Sequence, residues 1–124
     1  MHRIALVEDN PDNRMLVVAL LEDEYQVDEY EDGPSAIDGM RDHRPDIILL
    51  DISLPGMDGV EVLKRVRNSE LADVPAIALT AHAMAGDRQK YMDLGFDDYF
   101  AKPIVDEEQL FAMIRKLVDG KGQG

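Results

Sequence analysis

Five short apolar runs, each followed by a stretch with helical spacing, constrain this chain more than any other feature of its sequence. They are Ile4 to Val7, Gln26 to Tyr30, Ile47 to Leu50, Ala76 to Leu79 and Tyr99 to Ala101. The first, third and fourth are nearly continuous in Val, Ile, Leu and Ala, the pattern of parallel strands covered on both faces. The second alternates and the fifth is short, as expected nearer a sheet edge. Strand and helix in alternation make an α/β domain with right-handed crossovers. At 124 residues the chain falls well short of the roughly 250 that a β/α barrel requires. The expected fold is therefore an open, doubly wound parallel sheet with helices on both faces. Ligands of such sheets bind outside the carboxyl ends of the strands, where the strand order reverses.

The helices carry local start and stop signals. Asn10-Pro11-Asp12 supplies an N-cap side chain, a proline whose missing N–H costs nothing at the first helical position, and an acid at the positive end of the dipole, ahead of Met15 to Leu21. Gly33-Pro34 opens a second helix through Ala36, Ile37 and Met40, weakened at Gly39 by about 1 kcal/mol relative to alanine. Asp58 caps a third helix that spaces Val62, Leu63 and Val66 for burial and sets Glu61 four residues before Arg65. Gly95 closes a fourth helix of mixed character. Asp106 and Gln109 form a capping-box pattern before Leu110, Met113, Ile114 and Leu117, with Gly120 expected to end that helix and Lys121 to Gly124 to form a flexible tail. Met15, Met40, Met84, Met92 and Met113 at helical positions read as core filler or groove lining.

Charge narrows the function. The chain has 13 Lys plus Arg against 26 Asp plus Glu, a formal charge of -13. That excess argues against direct contact with nucleic acid, where basic residues supply most of the affinity. The absence of cysteine removes disulfides, thiolate metal sites and cysteine nucleophiles, and is compatible with a reducing cytoplasm. Met1-His2-Arg3 runs directly into a four-residue apolar stretch, too short for a signal peptide, and no segment approaches the length of a membrane span. A cytoplasmic domain with no membrane contact is expected.

The chemistry gathers at the strand ends. The first strand leads into Glu8-Asp9, the third into Asp51, the fourth into Thr80 and the fifth into Lys102-Pro103. In a parallel sheet these project from one edge, bringing together three carboxylates, a hydroxyl and an ammonium. Two carboxylates about 4 Å apart repel by roughly 4 kcal/mol at an effective dielectric near 20, so the cluster calls for a hard divalent cation. Oxygen-only donors favour Mg²⁺ or Mn²⁺ over zinc and leave room for water and a phosphate. Asp51, at the end of the most apolar strand, can act as a nucleophile as well as a ligand, since carboxylates form aspartyl phosphates. Mg²⁺, the Lys102 ammonium and the Thr80 hydroxyl with the N–H of Ala81 can balance the charge of an arriving phosphoryl group. Singly, Glu8 reads as a solvated loop acid, Thr80 as a β-favouring residue and Lys102 as a surface cation; the constellation carries the reading.

These residues give the chain a family resemblance. Val7-Glu8-Asp9-Asn10, Asp51-Ile52-Ser53-Leu54-Pro55-Gly56-Met57-Asp58-Gly59, Leu79-Thr80-Ala81 and Tyr99-Phe100-Ala101-Lys102-Pro103, in that order and spacing, resemble the receiver domain of two-component response regulators from about Arg3 to Val118. The wording of these motifs, with Ala81-His82-Ala83-Met84 and Asp97-Asp98-Tyr99, is closest to receivers of hybrid kinases and stand-alone phosphorelay regulators. The resemblance implies a (βα)5 flavodoxin-like sheet in the order 2-1-3-4-5. It implies a receiver over residues 1–119 with 120–124 as tail and no output domain. It makes Asp51 the phosphoacceptor, with Glu8, Asp9, Asp51 and the main-chain carbonyl of Ser53 holding Mg²⁺. Lys102, Thr80 and the Ala81 N–H contact the phosphoryl group, and the bond before Pro103 is expected to be cis. Thr80 and Tyr99 form the switch, although Tyr99 reads equally well as an ordinary edge-strand aromatic. Ser53 and His82 occupy positions that tune hydrolysis, His82 having the simpler reading of an exposed loop histidine.

The implied function is a signalling domain and not an enzyme acting on others. It takes a phosphoryl group from a sensor histidine kinase or histidine phosphotransfer protein and signals to a protein target through the fourth helix, fifth strand and fifth helix. Three alternatives remain distinct. A flavin carrier on the same fold needs a glycine- and hydroxyl-rich first loop, where this chain has Glu8-Asp9-Asn10-Pro11-Asp12. A metal-dependent phosphatase would turn over many phosphate esters at Asp51. A receiver-like interaction module would never be phosphorylated.

Overall fold

The computed structural model describes residues 2–81, 87–102 and 106–123. The elements alternate throughout: β1 (Arg3–Val7), α1 (Pro11–Leu21), β2 (Gln26–Tyr30), α2 (Gly33–Asp42), β3 (Ile47–Asp51), α3 (Gly59–Arg67), β4 (Ala76–Thr80), α4 (Asp87–Leu94), β5 (Asp98–Ala101) and α5 (Glu107–Gln123). All strand pairs are parallel and the order is β2-β1-β3-β4-β5, as the resemblance implied. The order reverses between β1 and β3, which places the ends of those two strands beside the crevice where such sheets bind ligands.

The apolar runs explain this arrangement. β3 and β4 are buried at every position, and β1 at all but Arg3, so each strand feeds two cores. Ile4, Leu6, Ile47, Leu49, Ile77 and Leu79 face one cluster, closed by Val17 and Leu21 of α1 and Leu110, Ile114 and Val118 of α5. Ala5, Val7, Ile48, Leu50, Ala76 and Ala78 face the other, closed by Met40 of α2, Val62, Leu63 and Val66 of α3, and Tyr91 of α4. Strict alternation along each strand assigns neighbouring side chains to opposite faces.

The caps stand where the local signals placed them. Asn10 Oδ1 accepts from the N–H groups of Asp12 and Asn13, Asp58 Oδ1 from Glu61, and Asp106 Oδ1 from Gln109. α2 has a further cap in Asp32, whose carboxylate accepts from the Ser35 N–H. That bond lowers the pKa of Asp32. Gly95 takes φ +108° after α4, the left-handed conformation expected of a glycine there.

Two expectations are corrected. α5 continues past Gly120 to Gln123; a glycine costs only about 1 kcal/mol inside a helix, and no proline follows to stop the chain. Met15 is 69% and Met92 38% exposed, so neither fills the core, whereas Met40 is fully buried; Met84 lies outside the described residues. Gly39 has a packing role besides its helix cost, because a Cβ there would fall 2.2 Å from the Tyr30 ring of the neighbouring edge strand. No helix among the described residues is long and apolar enough to cross a membrane.

Candidate functional site

At the carboxyl edge of the sheet, β1, β3, β4 and β5 deliver the residues singled out in the sequence. Glu8 follows β1 and Asp51 ends β3; they are 1% and 2% exposed, unusual for carboxylates, while Asp9 is open to solvent. Carboxylate oxygens of Glu8, Asp9 and Asp51 lie within 4.8 Å of one another. Lys102 reaches in from the end of β5, and its Nζ donates to Asp51 Oδ2 at 3.0 Å and to Glu8 Oε2 at 3.1 Å. One ammonium thus bridges two buried carboxylates contributed by residues 94 and 51 positions away in sequence.

Backbone groups hold the other oxygens. The Ser53 N–H donates to Asp51 Oδ1 at 2.9 Å, and the Asn10 N–H to Glu8 Oε1 at 3.2 Å. The loop carrying Glu8 and Asp9 is braced by Arg14 of α1, whose guanidinium donates to both of their carbonyl oxygens. The Lys102 N–H donates to the Thr80 carbonyl at 2.7 Å, fixing the lysine where it leaves the sheet. The turn after β3 packs very closely. A Cβ on Gly59 would fall 2.3 Å from the Asp51 carbonyl oxygen and 2.8 Å from Ile52 Cα. Both are backbone atoms that cannot swing aside, so Gly59→Ala is expected to cost about 2 kcal/mol and lower the melting temperature by about 5 °C or more. An unchanged melting curve would contradict this reading of the turn.

The electrostatics fit a site prepared for a cation. Burial, reinforced by the Asp51 charge, pushes the Glu8 carboxyl above the ordinary carboxylate range despite its bonds from Lys102 and Asn10. Burial works against the Lys102 ammonium, but its bonds to Asp51 and Glu8 outweigh this and hold its pKa above the ordinary lysine value. Two buried carboxylates and a neighbouring third exceed one ammonium in charge. The donor set is all oxygen, suited to a hard divalent ion that keeps several waters. A group attached to Asp51 would meet Lys102 from one side and the end of β4 from another.

Thr80, 4% exposed, ends β4, and Ala81 beside it is open to solvent. Ser53 is exposed two residues beyond Asp51. Tyr99 lies half-buried on β5 against the α2–α4 side core. His82 and Pro103 lie outside the described residues. Two participants escaped sequence reasoning. One is Arg14, readable only as a helix cation until the strand-end loop folds over it. The other is Tyr91, whose hydroxyl donates to Thr80 Oγ1 at 3.1 Å.

Residues 4–115 match the sequence model of the response regulator receiver domain. The chain belongs to that family. Among its relatives, the sensor protein GacS of Pseudomonas syringae is 39% identical over 92% of this chain. The receiver also resembles the polar-differentiation response regulator DivK of Brucella anthropi, at 42% identity over 82% of this chain and 84% of DivK. It spans only 13% of the GacS length. Among solved structures, the receiver domain of the sensor histidine kinase PA1611 from Pseudomonas aeruginosa is 37% identical, with a TM-score of 0.85 over 95% of this chain and 98% of that one. That structure holds a magnesium ion coordinated in its active-site cleft. The chain described here is thus a two-component signalling domain with an acidic cluster, Glu8, Asp9 and Asp51, at the carboxyl edge of its sheet.

Proposed function

We propose that this receiver domain accepts a phosphoryl group on Asp51 in a Mg²⁺-dependent reaction and thereby switches the surface it presents to a partner. The observation that carries the reading is the Lys102 ammonium bonded at once to Asp51 and Glu8, two carboxylates almost wholly withdrawn from water, with Asp9 beside them. Glu8, Asp9, Asp51 and the Ser53 carbonyl would hold the ion. When bound, Mg²⁺ neutralises the carboxylate cluster and the charge of the transferred group.

The donor is a phosphohistidine on a sensor kinase or histidine phosphotransfer protein, in keeping with the sensor kinases and response regulators among the relatives. An Asp51 oxygen forms a bond to phosphorus as the phosphorus–nitrogen bond of the donor breaks, and the imidazole nitrogen keeps the bonding pair. Lys102 orients Asp51 and then balances the phosphoryl oxygens, with the Thr80 hydroxyl and the Ala81 N–H as further donors. Movement of Thr80 toward the new charge and repositioning of Tyr99 alter the surface formed by α4, β5 and α5, which contacts the downstream protein. Water attack on the acyl phosphate ends the signal, at a rate that Ser53 and His82 tune. The reaction takes place in the cytoplasm, and the net charge of -13 keeps nucleic acid from being the direct partner.

Intact-mass measurement after incubation with acetyl phosphate and Mg²⁺ tests the proposal. The wild type should gain one phosphoryl group, and should gain none with the metal chelated or in Asp51→Ala. Equal labelling of wild type and the alanine variant would refute it. Multiple turnovers of a phosphate ester without a stoichiometric adduct would favour a phosphatase.

A further inference from the structure

Tyr91 connects two residues that the switch requires to move. It stands on α4 and is 4% exposed. Its hydroxyl donates to Thr80 Oγ1 at 3.1 Å in a buried setting, reaching from the helix to the end of β4. Its ring lies edge-on to Phe96, with centroids 6.2 Å apart, and tilted against Tyr99 at 5.5 Å. α4 is also tied to β5 by the ion pair between Arg88 and Asp98. Displacement of the Thr80 hydroxyl therefore alters the surroundings of the Tyr91 ring, and through it those of Tyr99.

Thr80 lies on the face of the sheet that packs against α2, α3 and α4, as the alternation Ala76, Ala78, Thr80 along β4 requires. Its hydroxyl accepts the Tyr91 O–H, which approaches from the α4 side. A phosphoryl group on Asp51 must draw that hydroxyl toward the ends of β3 and β4. We infer that Tyr91 is a positioning residue that latches the switch in its resting state, its hydroxyl retaining Thr80 on the α4 side until a phosphoryl group on Asp51 competes for it. Release of Thr80 then frees the Tyr91 ring, loosens α4 and changes the packing of Tyr99. The inference rests on the proposal that Asp51 is the phosphoacceptor, and adds a restraint from a helix that none of the motifs includes. A net intramolecular hydrogen bond of ordinary strength sets the size of the effect.

The test is a titration of wild type and variants with beryllofluoride in saturating Mg²⁺, read by calorimetry. Tyr91→Phe keeps the ring contacts and removes only the hydroxyl, so it should bind beryllofluoride about threefold to tenfold more tightly than wild type. The same substitution in a Thr80→Ala background should change affinity by less than twofold, because the latch has lost its partner. In a Thr80→Ser background, which retains the hydroxyl, the tightening should return. That dependence on residue 80 separates a latch from a general loosening of α4, which would tighten or weaken binding equally in all three backgrounds. Unchanged or weaker binding by Tyr91→Phe, or tightening that persists in Thr80→Ala, would overturn the inference while wild-type binding upholds the phosphoacceptor reading. Wild-type protein that fails to bind at all, like Asp51→Ala, would overturn both.

Discussion

Lys102→Met should lower the rate of phosphoryl uptake from acetyl phosphate by at least about 100-fold, the loss that follows removal of a preorganised donor to developing charge. The variant keeps most of the apolar stem and removes the ammonium that donates to Asp51 and Glu8 at 3.0 and 3.1 Å. A second effect follows from burial. The two carboxylate side chains retain only 3% and 2% of their exposure, so loss of the shared cation leaves like charges facing each other away from water. Breaking a buried pair on one side costs about 3 kcal/mol or more; since Lys102 keeps 18% exposure, the lower figure applies. Metal-free Lys102→Met should therefore melt roughly 10 °C below wild type at neutral pH, and Mg²⁺ should restore part of the difference. Wild-type uptake combined with wild-type melting would show that the lysine is merely a surface cation.

The second large effect concerns the metal. Mg²⁺ at ten times its half-saturating concentration should stabilise the fold by about 1.4 kcal/mol, a rise of about 5 °C in melting temperature for a domain of this size. Asp9→Asn, a change at an exposed position, should remove more than half of that rise. The pH dependence has a definite sign. Glu8 has its pKa raised in the folded protein, by burial and then by Asp51, so folding takes up a proton there between the ordinary glutamate value and the raised one. The contribution of Glu8 to metal-free stability is thus greatest below that window and is lost as pH rises through it. Metal binding requires the ionised carboxylate, so the Mg²⁺-induced rise in melting temperature should grow with pH across the same window. A rise independent of pH, or equal in Asp9→Asn, would place the ion elsewhere.

Much of this site is legible in the sequence, for physical reasons that apply to particular residues. β1, β3 and β4 announce themselves because burial on both faces leaves little room for polar side chains, and Asp51 stands out as the acid ending such a run. Asn10, Asp58 and Asp106 are legible because a cap is a bond within three residues of its own position. Glu8, Asp9, Asp51 and Lys102 converge because a parallel sheet brings every strand's carboxyl end to one edge. Tyr91 is not legible: its bond to Thr80 spans 11 positions and depends on the pitch of α4 against the sheet. Arg67 escapes for the same reason. It donates to Val74, Ala72 and Gly95 carbonyls and to the Asp97 carboxylate, tying α3 to the segments before β4 and β5. Nothing in the period of α3 marks Arg67 apart from its exposed neighbour Arg65, which pairs with Glu61 one turn earlier on the same helix. Gly39 shows the limit of propensity, since its helix cost is readable and the Tyr30 ring beside it is not.

The proposed switch rests on one carboxylate, Asp51, as the acceptor that would form the acyl phosphate. The most direct measurement is chemical trapping: phosphorylation with acetyl phosphate and Mg²⁺, reduction of the acyl phosphate with borohydride, proteolysis and mass analysis of every peptide. Borohydride converts a phosphorylated aspartate to homoserine and leaves a free carboxylate untouched. Homoserine is expected at position 51 alone, and is expected to be absent when Mg²⁺ is chelated. Homoserine at Asp9 or another acid, or none at all despite a phosphoryl mass on the intact protein, would contradict the assignment.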